Sequence, residues 1–416
     1  MSALRMAAVV FFFVALGSVA LSAAEPESCV TCHEAIGVPK LTQPVKDFPQ
    51  DIHAAKGFGC VACHGGDAKD AGMTAMDKAK GFIGAPARKD IPQVCGHCHS
   101  DGRFMRQYNP SLRVDQVAEY YTSVHGQRLT RNADEKVAVC TSCHPAHSIR
   151  PPSDPRSTVH PLKVADTCGR CHADAKYMET YKIPTDQLQK YKKSVHWNMM
   201  SAKGDLSAPT CNDCHGNHGA APPGVSFVGN VCGQCHVQNQ DFFAKSVHAK
   251  AFVKMGIPGC ATCHSNHEIA PPADSMLAVG EGGACAGCHT AEDNGGKTAL
   301  EVRRQIDALR NDYEKAHSTL MKAEAAGMEV SQPQFELSGA KTALVKARAA
   351  IHAFNVDAVK KETAPGLEIS AKSYAKGVKV LDELQFRRKG LAVSVLIIGA
   401  LIVGLVFKIR EMEKPK

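Results

Sequence analysis

The chain is poor in aromatic residues: Phe, Tyr and Trp make up 6 % of its 416 residues, with a single tryptophan. Something other than aromatic side chains must then supply the large flat apolar groups of the interior. It also has no cysteine to spare. All 18 fall within nine Cys-x-x-Cys-His motifs, so none is left for a structural disulfide. Charge of one sign is not dominant either, at +8 with histidine neutral. Long apolar runs are confined to the two ends.

The nine motifs are Cys29–His33, Cys60–His64, Cys95–His99, Cys140–His144, Cys168–His172, Cys211–His215, Cys232–His236, Cys260–His264 and Cys285–His289. This pattern is the attachment signal for c-type haem. The thiols of Cys29, Cys32, Cys60, Cys63, Cys95, Cys98, Cys140, Cys143, Cys168, Cys171, Cys211, Cys214, Cys232, Cys235, Cys260, Cys263, Cys285 and Cys288 would form thioethers. His33, His64, His99, His144, His172, His215, His236, His264 and His289 would reach the iron from the proximal face. Zinc would take two cysteine pairs per metal, and nine pairs do not divide evenly. A disulfide scaffold would not call for a histidine after each second cysteine. The expected cofactor is therefore nine covalently bound c-type haems.

The motifs occupy residues 29–289, or 29 residues for each. So little polypeptide cannot give every haem its own core, and the haems must pack against one another. The expected fold is mainly α with extensive irregular loop: a haem-packed region, a helical stalk and one transmembrane helix. The propionates of nine haems would turn the formal charge slightly negative, which argues against a nucleic-acid partner.

Residues 1–24 read as a secretory signal: Arg5, the apolar stretch Ala7–Val19, then Ser22-Ala23-Ala24 before Glu25. Residues 25–292 form the haem region, built from repeated two-haem modules. Residues 293–386 read as a helical hairpin or three-helix stalk. Ile306, Leu309, Tyr313 and Leu320 recur at helical spacing, as do Leu337, Leu344 and Ile351. Gly327 should end the first helix and Ser331 with Pro333 start the second. Pro365-Gly366 should break the chain again, with a third helix from about Leu367. Residues 388–409 enclose the uncharged run Gly390–Phe407 and should cross a membrane, contacting lipid. Residues 410–416 would be a cytoplasmic tail. Basic residues flank the span on both sides, so export of the N-terminal region fixes its orientation.

The haem region repeats. Ser123-Val124-His125, Ser194-Val195-His196 and Ser246-Val247-His248 each precede a motif. Each following motif has a histidine three places past its own, at His147, His218 and His267. Each then has a double proline, at Pro151-Pro152, Pro222-Pro223 and Pro271-Pro272. The stretch from Cys95 through Met105 to Tyr120 and Ser123 matches that from Cys168 through Met178 to Tyr191 and Ser194. An imperfect earlier copy carries Asp51-Ile52-His53 before the second motif. Recurrence at matched spacing marks His53, His125, His147, His196, His218, His248 and His267 as distal iron ligands. His352 is the favoured eighth, with His160 and His317 as further candidates. His97, inside its own motif, reads as a non-ligand.

These units resemble the multihaem c-type cytochromes with doubled CxxCH domains, over residues 29–289. The tail, with Ala347–Phe354, a Glu-Leu-Gln-Phe-Arg-Arg-Lys-Gly-Leu segment and one span, is similar to membrane-anchored members of that group. The resemblance implies electron transfer between quinol-oxidising or cytochrome b subunits in the membrane and periplasmic or outer-membrane cytochromes. It implies a haem domain in the bacterial periplasm, held at the cytoplasmic membrane by a single-pass C-terminal anchor. It also implies a ligand role for His352. The chain departs from the pattern at Asp67, where the histidine three places after His64 would stand. An electron carrier rather than an enzyme is expected, with no catalytic residue assigned. The alternative is an oxidoreductase acting on a nitrogen or sulfur oxyanion, or hydroxylamine, at one open haem. No Cys-x-x-Cys-Lys motif supports that alternative.

Overall fold

A computed structural model describes residues 27–219, 225 and 228–413. The expected signal at 1–24 and the Pro222-Pro223 pair lie outside the described residues, as does the end of the tail from Lys414. Among the described residues there are helices and irregular segments and no strand, so the mainly α reading holds. Two compact units divide the chain, one up to His160 and one from Pro161 onward. The first carries motifs one to four and the second motifs five to nine.

In the motif-bearing parts, helices are short and their starts are set by small polar caps. Ser123 accepts from the Gly126 amide at 3.0 Å, and Ser194 accepts from the Trp197 amide at 3.2 Å. Asp101 and Asp174 cap the turns that carry Met105 and Met178. Both methionines are buried. The buried Tyr120 hydroxyl donates to the Ala138 carbonyl at 2.9 Å, and the Tyr191 hydroxyl to the Pro209 carbonyl at 3.0 Å. Each link spans 18 residues. The repeat seen in sequence is thus a repeat of structure, with the same residues capping, filling and tying in both copies.

Three long helices follow the last motif: Asn294–Ala325, Ser331–Ala350 and Val356–Met412. The apolar periodicity places its residues inside. Ile306, Leu309 and Leu320 have no solvent exposure, Leu337 has 2 % and Leu344 has 6 %. Gly327, at φ 78°, closes the first helix in the left-handed conformation that favours glycine. The second begins at Ser331 as the sequence indicates.

The expected break at Pro365-Gly366 is absent. The third helix begins at Val356, upstream of the expected Leu367, and runs straight through. Pro365 and Lys361 both face solvent, so water can take the carbonyl that the proline leaves unpaired. Gly366 is there for packing. A Cβ on it would stand 2.8 Å from the Ala343 Cβ and 2.8 Å from a Leu309 methyl. Thr363, Gly366, Ser370, Ser373 and Gly377 form the buried stripe of this helix, and their small size lets three helices close on one another. Past that stripe the same helix becomes apolar on every face. Its most apolar window has a mean hydropathy of 2.8 and none of it is buried, so it is long and apolar enough to cross a membrane.

Candidate haem-binding centres

Six of the distal candidates face a motif other than the one beside them in sequence. They reach across. His53, ahead of motif two, has its ring centre 6.0 Å from that of His99 in motif three. His147, just past motif four, lies 5.9 Å from His64 in motif two. In the second unit His196 lies 6.3 Å from His236, His248 6.0 Å from His289 and His267 6.0 Å from His215. His352 lies 6.1 Å from His264. A metal held about 2 Å from one nitrogen of each of two imidazoles sets the ring centres about 6 Å apart. Six pairs at that separation, each joining a motif histidine to a separately recurring one, fit the group that the motifs attach.

The pairs differ in the angle between ring planes. His64 with His147 is nearly parallel at 15°, and His215 with His267 at 14°. His264 with His352 follows at 25° and His196 with His236 at 31°. His53 with His99 is perpendicular at 89°, and His248 with His289 at 88°. The two most nearly parallel pairs contain His147 and His267, two of the three histidines that follow a motif by three residues. Their segments dock by a shared contact. The Ile149 carbonyl accepts from the Ile52 amide, and the Ile269 carbonyl from the Val195 amide, both at 2.8 Å.

Several rings are held by their outer nitrogen, which leaves the other free to bind metal. His53 Nδ1 shares a hydrogen bond with Asp51 at 2.8 Å, and His289 Nδ1 with Asp293 at 3.1 Å. His64 Nδ1 donates to the Gly84 carbonyl at 2.8 Å and His352 Nδ1 to the Ala349 carbonyl at 3.0 Å. Burial first, and the facing imidazole second, hold His147, His196, His248, His264 and His267 below the usual imidazole range. His215 is lowered by burial alone. These rings are kept neutral, the form that ligates. Burial also works against ionisation of Asp51, yet hydrogen bonds from His53 and from the Ile149 amide outweigh it and hold the carboxyl below its ordinary value.

The motif thiols form a sequence-ordered series within each unit. In the first, Cys29 and Cys60 stand with Glu27, their ligand atoms within 4.8 Å of one another. Cys63 lies near enough to Cys98 to sense its charge, and Cys95 hydrogen-bonds Cys140. In the second, Cys168 meets Cys211, Cys214 lies near Cys232, Cys232 meets Cys260 and Cys263 lies near Cys285. Each motif is therefore beside the next, from one to four and from five to nine.

The remaining candidates are placed as follows. His125 lies on the helix Val124–Arg131, and His218 lies in the loop after the helix Cys211–His215. His144 ends motif four and His172 closes the helix Pro161–His172. His160 is buried just past motif four, where Thr158 donates to the Cys143 carbonyl. His317 is brought to no motif histidine. It is exposed on the first long helix with its ring 5.9 Å from that of Tyr313. His97 is exposed too. Among the described residues no second ring lies in contact with His33. His352 sits on a short turn, Ile351–Ala353, between the second and third long helices. Asp274 ties together the two long helices that precede this turn, its carboxylate accepting from Arg348 at 2.8 and 2.9 Å and from Arg310 at 3.0 Å. Sequence alone gives Asp51 a place in the imperfect repeat but no contact, and gives Asp274 no role, because the Asp274 partners lie 36 and 74 residues away.

Over 245 residues the chain is 26 % identical to the high-molecular-weight cytochrome c of Nitratidesulfovibrio vulgaris. The match spans 55 % of this chain and 37 % of that protein. No family model matches the chain, and no solved structure matches it. The distant likeness supports a multihaem cytochrome c with covalently attached haem.

Proposed function

We propose that this chain is a nine-haem electron carrier of a bacterial respiratory chain, anchored in the cytoplasmic membrane with its motifs in the periplasm. Its partners in this reading are a quinol-oxidising or cytochrome b subunit on the membrane side and periplasmic or outer-membrane cytochromes on the other. The observation that carries the reading is the ordered series of motifs within each unit, each beside the next, with imidazole pairs spaced to hold iron on both faces. Covalently bound haem supplies a one-electron iron couple. The chain's own part is to fix the spacing, fill the axial positions so that oxidation changes little in geometry, and set each potential through burial and hydrogen bonding. The distant cytochrome c relative and the apolar C-terminal helix support the same reading.

One observation favours a second reading at a single motif. No ring faces His33 among the described residues, so motif one is where a small ligand or substrate would have access, as an oxyanion or hydroxylamine oxidoreductase requires. A single experiment weighs the two. Purified chain should carry nine haems that resist extraction into acidified solvent. Carbon monoxide added to the reduced protein should bind at no more than one of the nine, and Cys29→Ser with Cys32→Ser should remove that one. Carbon monoxide binding at several sites, or far fewer than nine covalent haems, would defeat the carrier reading.

A further inference from the structure

The modules share a register but not a residue at one place. Ser123, Ser194 and Ser246 stand two residues before His125, His196 and His248, and Asp51 stands two before His53. The serine hydroxyls are engaged with their own backbone. Ser123 donates to the Tyr120 carbonyl at 2.6 Å and accepts from Gly126, Ser194 accepts from Trp197, and Ser246 donates to the Phe243 carbonyl at 2.7 Å. At His248 the consequence is visible, since its Nδ1 is buried and has no hydrogen-bond partner. Asp51 is different. Its side chain is 2 % exposed. One oxygen accepts from the His53 amide at 2.9 Å and meets His53 Nδ1 at 2.8 Å, and the other accepts from the Ile149 amide at 2.7 Å. The carboxylate is thereby fixed from three sides against the outer edge of an imidazole whose ring faces His99.

We propose that Asp51 is a positioning residue that sets the reduction potential of the motif-three iron below the value a serine module would give it. A carboxylate hydrogen-bonded to a ligand imidazole raises the basicity of that ligand and stabilises the more positive metal state. Burial keeps water from screening the effect. The nearest counterpart, Asp293 beside His289, has 39 % of its side chain exposed and a longer contact of 3.1 Å, so its influence is weaker. The inference rests on the electron-carrier reading and on His53 holding the motif-three iron.

The test uses the full chain with its haems in place, titrated by spectroelectrochemistry. In Asp51→Ser and Asp51→Asn, one of nine components should move to higher potential while every haem stays attached and that centre stays low-spin. In Ser246→Asp, which offers a carboxylate to the unpartnered His248 nitrogen, one component should move down. Unshifted titrations in all three variants, with nine haems retained, would overturn the proposal. If the Asp51 variants lose haem, the direction of the Ser246→Asp shift decides. His53→Ala separates the underlying assumption, because it should create one high-spin centre. If it does not, His53 is not the ligand, and the carrier reading stands apart from that failure.

Discussion

At the residue scale the chain uses one side chain, histidine, in two geometries. The d orbitals of a low-spin ferric ion split differently when its two imidazoles are parallel and when they are crossed. His53 with His99 and His248 with His289 are crossed, whereas the pairs made by His147 and His267 are nearly parallel. Electron paramagnetic resonance of the fully oxidised protein should show two classes of low-spin signal, one of them strongly anisotropic. In His352→Ala one of nine centres should become high-spin. A single class of signal, or no new high-spin centre in that variant, would contradict the pairings. The recurrence of histidine at matched spacing was legible in sequence. The identity of each partner was not, because an imidazole can face a motif histidine up to 88 residues away, as His352 does His264.

At the element scale the helical bundle presents an imidazole, His352, to the motif histidine His264. Its second and third helices hold the turn that carries His352, and Asp274 ties that turn's support to the segment after motif eight. Hydrogen bonding from Arg348, followed by its charge and by Arg310, holds the Asp274 carboxyl below its ordinary value against the opposing effect of burial. A carboxyl with a lowered folded-state value contributes stability that is complete above about pH 4 and is lost as acid titrates it below that range. Asp274→Asn should therefore cost about 1–2 kcal/mol at neutral pH, the size of a charge-assisted hydrogen bond partly screened by solvent. The gap between variant and parent should close as the pH falls through the lowered range. Chemical denaturation followed at neutral and acid pH checks this, and a gap that widens in acid would refute it. The helices were foreseen from apolar periodicity, which burial at Ile306, Leu309, Leu320, Leu337 and Leu344 bears out. The continuity of the third helix was not, because Pro365 and Gly366 read as breakers unless their surroundings are known.

At the scale of the whole molecule, the third long helix passes from a packed bundle member to a segment exposed all round. Leu391, Leu396, Leu401 and Phe407 are among the large apolar side chains facing outward. Removing residues 388–416 should move the chain from the membrane fraction to the soluble one while leaving its haem content unchanged. A truncated chain that still sediments with membranes would show that another surface holds it there.

The sequence by itself determined the covalent chemistry, the number of motifs, the repeat and the apolar helices, because each depends on residue type at short, fixed spacing. Only the tertiary structure decided which imidazole faces which, at what angle, and which carboxylates press on them. Those relations arise from packing between segments far apart in the chain, where spacing along the backbone carries no information about distance.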